Sequence, residues 1–161
     1  MTALNPALVW IGLKNSDDVG VKFDLLAEVY KNGTELISTA ELDHINGGSS
    51  GFNNAHLQSI PLTLNSPVIF PVGSVLSLKV SVRNTCFGGT HNSGFARLWF
   101  NDSVANTNFF AQIDTSPNNY YLLNNYLLGI YAGNGPKKTI DIQSGSPCSA
   151  WKPFGTWVVT P

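Results

Sequence analysis

The sequence predicts an all-β fold: two antiparallel sheets stacked as a sandwich, of jelly-roll type, in a single domain spanning residues 1–161. Three observations predict it. Apolar and polar residues alternate in short runs, with almost no helical period. Gly, Pro, Asn and Asp interrupt those runs at short intervals, as turns between strands require. Finally, 43% of the chain is apolar but only 12% is charged, so a real core must be covered by Asn, Ser, Thr, Gln and Gly. Surfaces of that composition are common on exported β proteins.

Taken in order, the first expected strand is residues 8–13. In "KFDLLAEVYKNGTELISTAEL", Phe23, Leu25, Ala27 and Val29 fall on one face. Asp24, Glu28 and Tyr30 fall on the other, with Leu26 the exception, and acids at such positions usually serve solubility. Asn32-Gly33 supplies the two positive-φ positions of a type I′ turn, and a return strand starts from Thr34. In "SVLSLKVSVR", Leu76, Leu78, Val80 and Val82 alternate with Ser77, Lys79, Ser81 and Arg83, a half-buried strand with one wet face. Residues 57–64, 96–100, 109–113, 139–142 and 156–159 complete the set. "NYYLLNNYLLGIYAG" reads as strands around Asn124-Asn125. Prolines 61, 67, 71, 117, 136, 147 and 153 are expected at strand ends or in loops, because proline gives no N–H to a ladder. So many short strands need two layers. An immunoglobulin-like sandwich is the alternative, but no Trp stands between the two cysteines where that core pattern places it.

The charge balance bears on function. Nine basic and ten acidic residues leave a net charge of −1, and no basic run exceeds Lys137-Lys138. A nucleic-acid or anionic-membrane partner needs a basic patch, so neither is expected. No apolar stretch approaches the roughly 20 residues that span a bilayer as a helix. "MTALNPALVWIG" lacks the charged and long apolar regions of a signal peptide. A secreted protein is expected to have lost its leader, with the initial Met added to the mature piece. No GxSxG, HExxH, Walker or dinucleotide pattern is present, and the scattered acids mark no carboxylate pair, so an enzyme is not expected.

Three groups of residues carry candidate chemistry. The first is Cys86 with Cys148, both beside Gly, Ser or Pro turn signals. A disulfide is the expected state. Free thiols, or a reactive Cys86 with His91 as its base, are the alternatives, and no cysteine-hydrolase or zinc spacing surrounds them. The second is "NSDDVGVKFD". Asn15, Asp17, Asp18 and Gly20 read first as a solvated Asx-turn. They read second as a calcium site with Asn15, Asp17, Asp18 and Asp24 as oxygen donors, which Glu28 and Glu41 join if folding brings them near.

The third group is aromatic. Four Trp, five Tyr and nine Phe make up 11% of the chain. Exposed rings stack on the C–H faces of sugars, while amides, carboxylates and guanidinium groups bind the hydroxyls. In "ARLWFND", Trp99 shares a mixed face with Phe95, Arg97 and Asn101. Tyr120 and Tyr121 follow a Ser-Pro turn, and Trp151 lies in the loop-like "SAWKPFG". These six residues, Trp99, Arg97, Asn101, Tyr120, Tyr121 and Trp151, are the candidate ligand contacts, although an aromatic in a sandwich is more often core.

The strings "VWIGLKNSDDVGVKFDLLAEVY", "GGSSGFNNA", "NTCFGGTHNSGFARLWFND" and "PFGTW" resemble a module of bacterial secreted proteins that is similar to jelly-roll carbohydrate-binding modules. The resemblance covers nearly the whole chain. It implies a secreted β-sandwich and, less directly, glycan binding; it carries over no set of binding residues. The expected function is a non-catalytic extracellular module that binds carbohydrate or another surface ligand. The alternative is a structural or adhesive subunit that self-associates in a filament or surface assembly.

Overall fold

A computed structural model describes residues 1–13, 19–47, 54–85, 95–99, 111–115, 119–123, 137–141 and 150–159. There is no α-helix among the described residues. Among the described residues, eleven strands follow in chain order. They are β1 (Ala3–Leu4), β2 (Ala7–Leu13), β3 (Lys22–Lys31), β4 (Glu35–Asn46), β5 (His56–Ile60), β6 (Leu76–Asn84), β7 (Phe95–Trp99), β8 (Ala111–Thr115), β9 (Asn119–Leu123), β10 (Lys137–Asp141) and β11 (Lys152–Val159). Two four-stranded sheets, β11-β6-β3-β4 and β10-β7-β2-β5, form the sandwich, and β1-β8-β9 is a smaller sheet.

Among the described residues every ladder is antiparallel, as in a β-sandwich. The pairs β3–β4, β2–β5, β6–β11 and β7–β10 follow one another as an antiparallel ribbon wrapped around the core, lying alternately in the first and the second sheet. The β3–β4 hairpin closes one end of that ribbon. Its turn is as the sequence predicts: Asn32 has φ 53° and Gly33 φ 74°. Asn32 does more than turn the chain. Its N–H donates to the Val75 carbonyl at 2.7 Å, and its Oδ1 accepts from the Val75 N–H at 2.9 Å. The hairpin tip is thereby tied to the entry of β6.

The core follows from the alternation. Ala7, Val9, Ile11 and Leu13 of β2 face Phe23, Leu25, Ala27 and Val29 of β3, with Leu78, Val80 and Val82 of β6, Ala96 and Leu98 of β7, Ile60 and Phe154. Burying each large side chain contributes about 1.5–3 kcal/mol. Several boundaries differ from expectation by a few residues, two of them at prolines. The 57–64 strand ends at Ile60, because Pro61 follows. Pro153 lies inside β11, not at its end; it sits on an edge strand at the bulge between Pro153 and Gly155, where a missing N–H breaks no central ladder.

Candidate functional site

The best-defined polar cluster lies on the outer face of β11-β6-β3-β4. Pairing sets Asp24 of β3 directly opposite Arg83 of β6. On the other side of Asp24, β4 carries a bulge between the pairs Phe23–Ile45 and Leu25–Leu42, so that Asp43 and His44 together oppose one residue. His44 adopts φ 60°, a left-handed conformation that His tolerates better than most residues. This turns its amide out of the ladder, and the N–H donates to Asp24 Oδ1 at 3.0 Å. Arg83 Nε donates to Asp24 Oδ2 at 2.9 Å, and its second arm reaches Glu41 Oε1. On the far side, β11 pairs Lys152 with Val82, which brings Trp151 next to Arg83. The guanidinium stacks over the Trp151 ring at 4.1 Å from its centroid.

One row across four strands therefore reads Trp151, Arg83, Asp24 and the Asp43–His44 bulge, with Glu41 diagonal to it. Asp24 is 0% exposed, which corrects the expectation that its carboxylate serves a wet face. The carboxylate is enclosed because Arg83 and the bulge amide hold it from both sides. Arg83 keeps 18% of its side chain accessible and Glu41 36%. The Glu41 carboxyl is pushed up, first by burial and then by its hydrogen bond with Asp43 and the charges of Asp43 and Asp24, against the pull of Arg83.

A second row lies four residues along. Lys79 pairs with Glu28 at 2.7 Å, and the Tyr30 hydroxyl donates to Glu28 Oε1 at 2.7 Å. Burial pushes the Glu28 carboxyl up, but Lys79 and Tyr30 together outweigh it and hold it below the usual range. Tyr30 and Lys79 are both raised, each chiefly by its hydrogen bond to Glu28.

The expected site residues separate accordingly. Trp151 and Asp24 come together through Arg83. Asn15, Asp17, Asp18, Cys86, His91, Asn101 and Cys148 lie outside the described residues. Asp24, Glu41 and Asp43 bring one carboxylate oxygen each within 4.8 Å of one another. This set is a poor match to calcium, which takes six to eight oxygens. Both Asp24 oxygens are engaged, and Arg83 already places a fixed positive charge between Asp24 and Glu41. A cation entering there would have to displace the guanidinium. Glu28, bound to Lys79 and Tyr30, stands apart from the cluster.

Arg97 and Trp99 lie on the other sheet. Ala96 and Leu98 are buried, so Arg97 between them falls on its outer face. In register, Trp99 stands between Trp10 and Lys137, and Arg97 between Gly12 and Thr139. Leu57, 48% exposed, opposes Trp10 from β5. Tyr120 and Tyr121 belong to β9, opposite Asp114 and Ile113, in the small sheet. Among the described residues, Trp151 thus adjoins one four-stranded sheet, Arg97 and Trp99 belong to the other, and Tyr120 and Tyr121 belong to the small sheet.

Arg83, Asp43, His44 and Trp10 were not singled out from the sequence. Arg83 closes the wet face of an alternating strand, but its partner lies 59 residues away, and only the β3–β6 register joins them. No family model, curated protein or solved structure gives a significant match to the chain.

Proposed function

We propose that this domain is a non-catalytic extracellular module that binds carbohydrate at the Trp151 end of the β11-β6-β3-β4 sheet. The observation that carries the reading is the Trp151 ring stacked on Arg83, beside the accessible carboxylates of Glu41 and Asp43. A sugar presents flat C–H patches and a rim of hydroxyls. A half-buried indole fits the first and exposed carboxylates accept from the second. The ring is braced from behind by a charge that is itself tied to two acids, so little freedom is lost when a ligand lands on it. The same ties engage both Asp24 oxygens, so a ligand meets Glu41 and Asp43 and not Asp24. On the opposite sheet the register sets Trp99 between Trp10 and Lys137.

The test is retention on insoluble polysaccharides together with a soluble glycan array, for the wild type and Trp151→Ala. The reading expects a retained glycan and a loss of about tenfold or more in affinity, equivalent to roughly 1.4 kcal/mol, in the variant. Equal binding by both proteins would remove the site from Trp151.

A second reading, a subunit of an extracellular assembly, draws on a different feature. Ile69 is 80% exposed and Val72 fully so, at a tip built by a tight turn in which Ser74 N–H donates to the Pro71 carbonyl and Gly73 takes φ 84°. Concentration-dependent self-association abolished by Val72→Ser would favour it.

A further inference from the structure

We infer that Asp24 and Arg83 are positioning residues for the Trp151 site: they hold the groups that meet a ligand and do not meet it through Asp24 at all. The inference rests on the binding site proposed above and deepens it. Asp24 is wholly buried, so no ligand in solvent reaches its carboxylate. Its two oxygens face two different strands. One takes the Arg83 Nε from β6, and the other takes the His44 amide from the β4 bulge.

Each bond fixes something beyond itself. Arg83 is a long side chain with many rotamers, and a guanidinium stacks on an indole only in a defined plane. Asp24 on Nε and Glu41 on the terminal nitrogen set that plane, and the plane sets where Trp151 lies. The His44 bond holds the bulge in its left-handed turn, which keeps Asp43 beside Glu41. A buried ion pair is seldom the most stable filling for such a place; apolar residues of similar volume often do as well or better. A pair that only filled space would not need a fork with three occupied sides. The arrangement makes sense when the orientation of Trp151, Glu41 and Asp43 is what matters. Lysine at position 83 would keep the charge opposite Asp24 but not the plane.

The experiment uses the whole chain labelled with 5-fluorotryptophan, whose 19F spectrum reports each Trp separately; Trp151→Phe assigns the resonance. Asp24→Asn and Arg83→Lys are compared with Glu28→Gln, which breaks the neighbouring ion pair on the same face. The inference expects the Trp151 resonance to move or broaden in Asp24→Asn and Arg83→Lys. It expects affinity for the retained glycan to fall about tenfold, the equivalent of one charge-assisted hydrogen bond. Glu28→Gln should change neither. If Asp24→Asn does not fold, Arg83→Lys decides alone. An unchanged Trp151 resonance in the folded variants, or equal changes in Glu28→Gln, would overturn the inference. If the wild type retains no glycan, the proposed function fails, while the 19F comparison still decides whether the pair positions Trp151.

Discussion

Replacing Asp24 with Ala removes one carboxylate and two bonds from a site with no access to water. Breaking a buried ion pair typically costs about 3–5 kcal/mol. The low end applies here. Arg83 keeps its contact with Glu41 and is 18% exposed, so its charge is not stranded. His44 is exposed, so its freed amide regains some hydration. A cost near 3 kcal/mol follows; at about 2–4 °C per kcal/mol for a chain of this size, the melting temperature should fall by about 6–12 °C. Thermal unfolding gives the shift, and urea unfolding with an unchanged slope shows that the native state alone is affected. Arg83→Met and the double variant close a cycle. The double variant should be more stable than the sum of the single effects predicts, by about 1.5–3 kcal/mol, since each single change already loses the shared bond. A fall of less than about 2 °C in Asp24→Ala, or additive effects, would refute the reasoning.

Three further outcomes are expected. Gly47→Ala should destabilise by about 1–3 kcal/mol in a thermal scan, because a Cβ there would lie 2.5 Å from Leu13 Cγ and 2.9 Å from Phe23 Cε1, both fully buried. Stability should fall as the pH rises past about 10: Tyr30 and Lys79 have raised values in the folded chain, so the folded state holds protons that the unfolded state has begun to lose. Glu28→Gln should flatten that limb. It should also remove the loss on acidification through the lowered Glu28 value, while Glu41, raised, contributes more as the pH falls. Any response of the melting temperature to millimolar calcium or a chelator should be the same in the wild type and in Glu41→Gln, because Arg83 already neutralises the carboxylates around Asp24; a stabilisation by calcium that is lost in Glu41→Gln would instead assign a cation to that cluster.

The sandwich was legible because strand faces follow from a period of two. Phe23, Leu25, Ala27 and Val29 needed no partner to be read as one core face, and Asn32-Gly33 needed only its backbone preference to be read as the turn. The candidate site was less legible because it is made between strands. Trp151 was singled out for its loop-like setting and Asp24 for its oxygen-rich neighbours, but no local pattern says that residue 24 opposes residue 83. That register depends on the chain passing through β4 and β5 before β6 returns beside β3. The bulge was equally hidden. "ELDHING" holds no glycine at position 44, so the left-handed turn is imposed by the Asp24 carboxylate and not announced by the residue that adopts it. Trp10 reads as one more apolar residue in "LVWIGL", and only its half-buried place between fully buried Val9 and Ile11 sets it on the other face of β2.

The measurement that tests the central claim most directly is the affinity of one retained glycan for the wild type and for Trp151→Ala, with the folded state of both confirmed by thermal unfolding. The account predicts that the glycan binds the wild type and that affinity drops about tenfold or more in the variant while the melting temperature stays within a few degrees, Trp151 being only half-buried. A glycan that binds both proteins equally, or a wild type that retains none across the array, would contradict it.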